Sequence, residues 1–172
     1  MDYSVVAWHT FGEALAGVSG ALTGLLFVAV SIKSDVLARS RNLGSRAAQT
    51  LVLFLIAVVV SLLLVAPQPH DAFGPELVAV AVLSGITLLA FDQRAGGDSG
   101  GGRREDLDLV TRYLNRYAPN ATTPVLTAVA GITVILGAGG GLYWLIPAMI
   151  TSLVGGVISA WLFLVKVTDH PA

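Results

Sequence analysis

Val125-Leu-Thr-Ala-Val-Ala-Gly-Ile-Thr-Val-Ile-Leu-Gly137-Ala-Gly-Gly-Gly141-Leu-Tyr-Trp144-Leu-Ile-Pro147 opens a run of 41 uncharged residues that ends at Val165. One straight helix of that length would measure about 62 Å, at about 1.5 Å per residue. A bilayer hydrocarbon core is only about 30 Å thick, so the run must fold back on itself. The break is written in its middle. Gly137, Gly139, Gly140 and Gly141 permit a reversal, and Pro147 suits the first turn of a new helix. The stretch therefore reads as two membrane spans, about 124–138 and 146–166, joined by a tight hairpin.

Composition agrees. Of 172 residues, 55% are hydrophobic and 12% charged, against about 25% charged in an ordinary soluble domain. The mean hydropathy is +0.77. A soluble fold of this size has too much surface to hide so much apolar side chain. The same numbers exclude a disordered chain. A net charge of -1 with no basic domain excludes a nucleic-acid-binding module. Zero cysteines exclude a disulfide scaffold, a zinc ribbon and a thiolate enzyme.

Working back toward the start, three more apolar segments can cross a membrane. They are Ala14–Ile32, Ala47–Ala66 and the shorter Leu77–Phe91. Pro75 is placed for the first turn of the third, and Glu76 for its positive N-terminal end. The expected spans are thus about 14–32, 47–66, 75–91, 124–138 and 146–166, in a single all-α transmembrane domain covering 1–172. With five crossings the connecting segments alternate sides. One side then receives Lys33, Arg39, Arg41, Arg46, Arg94, Arg103, Arg104, Arg112, Arg116 and Lys166, which are all ten basic residues. The other side receives none. Positive charge stays cytoplasmic, so the N-terminus is expected outside and the C-terminus inside. Met1-Asp2-Tyr3 has no basic n-region, so the first span reads as retained, not as a cleaved signal. Trp8, Tyr143 and Trp144 would mark the outer interface and Trp161 the inner one.

Residues 92–123 form the longest stretch outside the spans. Ala95–Gly102 reads as a flexible linker and Glu105–Tyr117 as an amphipathic helix, with Leu107, Val110, Leu114 and Tyr117 at helical spacing. Lys33, Arg39, Arg41, Arg46, Arg103, Arg104, Arg112 and Arg116 are expected to contact lipid headgroups, each contributing about 1 kcal/mol beside anionic lipid. Arg outnumbers Lys eight to two, and Ala, Gly and Val dominate. That composition reads as a GC-rich bacterial gene, and the membrane as a bacterial plasma membrane.

The first span holds the most organised pattern. Glu13, Gly17, Gly20, Gly24 and Ser31 share one helical stripe, and Gly20-Ala-Leu-Thr-Gly24 is a GxxxG. Small residues let helix backbones approach closely in lipid. The stripe has two readings: packing inside one subunit, or a self-association or pore-facing surface. Around an axis, Glu13 would become a carboxylate ring at an outer mouth, and such rings select cations. Alone, it is a solvated acid at a helix N-terminus. His9 and Glu13 share a face, and His70, Asp71 and Glu76 fall on the same side, but two positions at that spacing do not make a metal site. No metal or cofactor is expected.

Gly17-Val18-Ser19-Gly20 has the GxSG form of intramembrane serine proteases, yet His9, His70 and His170 all lie outside the spans, and Ser19 lacks a base. Ser19 is expected to bond to its own helix or a neighbour. There is no phosphate loop and no HExxH. Asn120-Ala121-Thr122 reads as a sequon on the cytoplasmic side, hence without consequence. Ser61, Ser84, Thr87, Thr127, Thr133, Thr151, Ser152 and Ser159 are expected to join helices, and Gly155-Gly156 to mark a close approach. No enzymatic constellation is present.

Trp8-His9-Thr10-Phe11, followed by Gly17 and by Ala21-Leu-Thr-Gly-Leu-Leu-Phe-Val-Ala-Val-Ser-Ile32, resembles a group of small bacterial integral membrane proteins common in actinobacteria. Ala160-Trp-Leu-Phe-Leu-Val165 resembles them too. Members are sometimes labelled modulators of the membrane protease FtsH. The resemblance covers about 30 residues and implies a regulatory, non-enzymatic role. The expected function is a non-catalytic membrane protein acting through helix–helix contacts, as a homo-oligomer or as a subunit or regulator of another membrane protein. Membrane lipids are its expected surroundings. The alternative is a homo-oligomeric cation channel with a Glu13 ring and a glycine-lined first helix.

Overall fold

The computed structural model describes residues 8–32, 41–96, 106–137 and 139–168, with side chains except at 41–43, 70, 94–96, 106–119 and 163–168. The described residues form an all-helical structure. Among them five α-helices follow one another: α1 His9–Ile32, α2 Arg41–Val65, α3 His70–Gly96, α4 Asp106–Leu136 and α5 Leu145–Thr168, with a 3₁₀ turn at Gly141–Trp144 before α5. Four segments are long and apolar enough to cross a membrane: His9–Ile32, Gly44–Val65, Asp71–Gln93 and Gly141–Leu162. Within α4 the residues described with side chains up to its end, Asn120–Leu136, form a shorter apolar stretch.

Two element boundaries differ from the sequence expectation. The third segment is not the short one, because α3 starts at His70 and carries Pro75 as its sixth residue. A proline there removes only the bond to the carbonyl of Asp71, an exposed residue that water or headgroups can satisfy. The expected amphipathic helix at 105–117 is not separate from the fourth span either. α4 continues through Pro119 and Pro124 to Leu136 as one helix.

Consecutive helices run in opposite directions. Near the start of α1, a Cβ at Gly12 would lie 2.9 Å from Leu64 Cβ and 3.0 Å from Val65 Cγ2, at the end of α2. Ser45 Oγ, near the start of α2, donates to the Phe91 carbonyl near the end of α3 at 2.8 Å. At the start of α3, Gly74 meets Gly131 and Ile135 of α4. The α2–α3 turn contains Pro67 and Pro69, which have no N–H to offer the last carbonyls of α2. Gln68 Nε2 donates to the Leu63 carbonyl instead, at 3.0 Å.

The hairpin after α4 is built as the glycines require. Gly137, Gly139, Gly140 and Gly141 have φ of 64°, 80°, 101° and 51°, a region that only glycine occupies without strain. Trp144 Nε1 donates to the Gly139 carbonyl at 2.8 Å and closes the loop. The Trp8 ring meets Tyr143 edge-on at 5.2 Å, so the start of α1 lies at the hairpin end of the molecule. The basic positions in the described helices, Arg41, Arg46, Arg94, Arg112, Arg116 and Lys166, all fall toward the opposite end.

Side chains from every helix share one core, among them Leu15, Leu53, Phe73, Ala130 and Met149. Gly156 faces the Phe54 ring so closely that no side chain fits there. The expected close approach in α5 is therefore real, and its partner is α2. Ser19 donates to Leu15 O at 2.6 Å, within its own helix, one of the two options expected for it. Thr127 and Thr133, expected to join helices, instead donate to Thr123 O and Val129 O of their own helix, each at 2.8 Å. An i−4 carbonyl is always in reach of a helical Ser or Thr, so no neighbour is needed. Ser152 reaches another helix, donating across to Leu53 O of α2 at 2.6 Å. Ser152→Ala is expected to destabilise the protein by about 1 kcal/mol, measured as a shift in detergent-unfolding midpoint.

Thr123 is fully buried, and its hydroxyl has no hydrogen-bond partner among the described residues. Thr123→Val keeps the shape and removes that group. It is expected to leave stability unchanged or raise it by about 1 kcal/mol. A loss of stability in the same unfolding assay would show that the hydroxyl is satisfied in the folded protein.

Candidate functional site

α1 is attached along one face. Gly12, Leu15, Ser19 and Leu26 are its buried residues. At 100° per residue these lie opposite Glu13, Gly17, Gly20, Gly24 and Ser31. All five stripe residues are exposed. A Cβ added at Gly17, Gly20 or Gly24 would meet no described residue within 4 Å. Among the described residues, therefore, the glycine stripe does not pack α1 onto the other helices. That task falls to Gly12, outside the GxxxG, which the spacing did not single out.

The outward face has a graded profile. Glu13 is 65% exposed, and its Oε1 lies 3.8 Å from His9 Nδ1. The distance is too long for a hydrogen bond, and the two form an ion pair only when the imidazole is protonated. Below Glu13 come the three glycines, flanked by Ala14 and Ala21 and bare of side chain. Toward the other end the stripe closes. Phe27 and Val28 flank Ser31 and are exposed, and Ser31 Oγ donates back to the Phe27 carbonyl at 2.8 Å. The face thus offers a shallow groove over about three turns, with a carboxylate at one end and an aromatic ring at the other.

The four expected anchor residues lie at two ends of the molecule. Trp8, Tyr143 and Trp144 gather at the hairpin end, with Trp8 also edge-on to Phe11 at 5.6 Å. Trp161 is exposed on α5 toward the opposite end. Of the expected headgroup contacts, Lys33, Arg39, Arg103 and Arg104 lie outside the described residues. Arg41, Arg112 and Arg116 are described in backbone only, and Arg46 is half-buried. Among the described residues no three His, Asp or Glu side chains group as a metal site.

Comparison of the chain with protein-family models, curated proteins and solved structures gives no match.

Proposed function

We propose that this chain is a non-catalytic, multi-pass protein of a bacterial plasma membrane that works by contact between helices through the outward face of α1. It acts as a homo-oligomer or as a subunit or regulator of a larger membrane complex. The observation that carries this reading is the vacancy over Gly17, Gly20 and Gly24. In lipid, backbone-accessible small residues favour a second helix, because packing drives association there. Five crossings, with the N-terminus outside and the C-terminus cytoplasmic, are part of the proposal. They are supported by the alternating helix directions and by the basic positions at one end. Although the apolar part of α4 is short, it lies between α3 and α5. The regulatory variant also draws on the resemblance of residues 8–32 to small actinobacterial membrane proteins.

The chain contains no cysteine, so single cysteines report contacts directly. Gly20→Cys is expected to cross-link, to a second copy or to a distinct co-purifying protein, in native membranes. Val18→Cys, exposed but off the stripe, is expected not to. Absence of any cross-link at positions 17, 20 and 24, with a lone monomer recovered in nanodiscs, rejects the proposal.

A second reading is supported by Glu13, which stands on the same outward face as the glycines. Arranged around an axis, the carboxylates would form a cation-selective outer mouth, and Phe27 and Val28 would set the narrowest level. This channel reading predicts cation current in planar bilayers that Glu13→Gln reduces or makes less selective. A symmetric oligomer without current leaves only the contact role.

A further inference from the structure

His9 and Glu13 lie on the outward side of α1 with the three glycines. They are one helical turn apart, with Nδ1 3.8 Å from Oε1, and their side chains are 45% and 65% exposed. The elements packed against this part of α1 bring no charge to them. α2 faces it with Ser61, Leu64 and Val65, around Gly12, and has no ionisable residue after Arg46. The hairpin faces it with Tyr143, against Trp8, and phenols titrate only at about pH 10. α5 has no ionisable residue before Lys166. The remaining ionisable residues of this end in the described helices, His70, Asp71 and Glu76, stand on α3. The charge on the outer part of the α1 face is therefore set by one carboxylate and one imidazole.

Copies of one membrane protein insert the same way up. Two α1 helices that meet over Gly20 and Gly24 therefore run parallel, and each residue meets its own counterpart at the same depth. Glu13 lies seven residues, about 10 Å, from Gly20 along the axis. At a parallel crossing of about 40° the two Glu13 side chains come within roughly 10 Å of each other, about one Debye length in physiological salt. With neutral imidazoles, two carboxylates face each other and oppose the contact. With protonated imidazoles, each His9 offsets its own Glu13 and stands within reach of the Glu13 of the other copy. The pair is then self-complementary across a two-fold axis: cation answers anion on both sides. We propose that the occupant of this face is a second copy of the chain, and that protonation of His9 switches the pairing on. Imidazoles gain their charge as the pH falls from about 8 to about 5. Pairing takes up protons, so it tightens over that descent.

The inference rests on the α1 contact proposed above. It is tested on the full-length chain in liposomes, with copies labelled through Leu162→Cys, an exposed position on α5. Energy transfer between pH-insensitive dyes is read at about pH 8 and about pH 5.5, which bracket the imidazole range. Wild type is expected to associate about fivefold more tightly at the lower pH, the size of effect that exposed charge pairs give. Glu13→Gln is expected to associate at both values about as tightly as wild type does at the lower. His9→Gln is expected to stay at the weaker wild-type level at both, and His9→Lys at the tighter level at both. Both positions are exposed, and helicity checks that the variants fold. Wild-type association that ignores pH, or a pH response that survives in His9→Gln, overturns the inference and leaves the α1 contact standing. Absence of energy transfer at both values, with Gly20→Cys still cross-linking to a distinct protein, overturns it too. Absence of both transfer and cross-links rejects the α1 contact itself, a distinguishable result.

Discussion

Gly131→Ala is expected to destabilise the protein by about 1–3 kcal/mol, the usual cost of forcing extra volume into a packed contact. The new Cβ would lie 2.9 Å from the Gly74 carbonyl oxygen, 3.0 Å from the Val78 amide nitrogen and 2.8 Å from Val78 Cγ2. Two of these three atoms are backbone. A side chain can rotate aside, but a helix backbone can only be displaced as a whole. α3 would have to move off α4 along the seam that holds the short apolar part of α4 in place. Gly74→Ala is expected to act in the same direction from the facing helix, since its Cβ would lie 2.6 Å from Ile135 Cγ1 and 3.2 Å from the Gly131 carbonyl oxygen. Unfolding in mixed micelles, followed by helicity, checks both. Gly17→Ala is the matched control, where nothing stands within 4 Å and stability should be unchanged or slightly higher. Equal stability of Gly131→Ala and wild type would show that the α3–α4 seam is looser than described.

Gly20→Leu combined with Gly24→Leu is expected to leave the isolated fold intact and remove the assembly. On the free subunit both side chains point into open space, so thermal stability in detergent should match wild type. At a close helix–helix contact they would separate the backbones by roughly the depth of a side chain. The resulting loss is about 1–3 kcal/mol, or roughly ten- to hundredfold in the association constant. Particle mass in nanodiscs, read beside stability in detergent, separates the two effects. Loss of fold without change in assembly would place the stripe inside the subunit after all. No change in either would leave lipid as its sole neighbour.

Much of the architecture is legible in the residues because it follows from two blunt rules. Forty-one uncharged residues cannot run straight, and glycines at 137, 139, 140 and 141 with Pro147 say where they turn. The stripe of Glu13, Gly17, Gly20, Gly24 and Ser31 is legible as a stripe, because 100° per residue is fixed. What spacing cannot say is which way a stripe faces. Gly12 is the glycine that seats α1 on α2, and nothing around it in sequence marks it out. Gly74 and Gly131 are likewise solitary, and their importance exists only where two helices cross. Pro75 misleads in the other direction: it forbids a single hydrogen bond, and α3 starts before it and continues past it. The groove lined by Gly85, Leu89, Pro124 and Val125 has no sequence signature at all, since it exists only where α3 and α4 meet.

The hairpin carries a consequence for how the chain reaches its membrane. A reversal locked by left-handed glycines and tied by an indole leaves no slack between the two helices it joins. Neither can partition into lipid while the other waits in water. The brief apolar segment of α4 would be a poor stop signal for a translocation machine, yet α5 is long enough to commit both. On the proposed five-crossing topology their integration is therefore a single event, completed only once the ribosome has released the second arm. Stalling the nascent chain inside α5 should leave α4 still unintegrated.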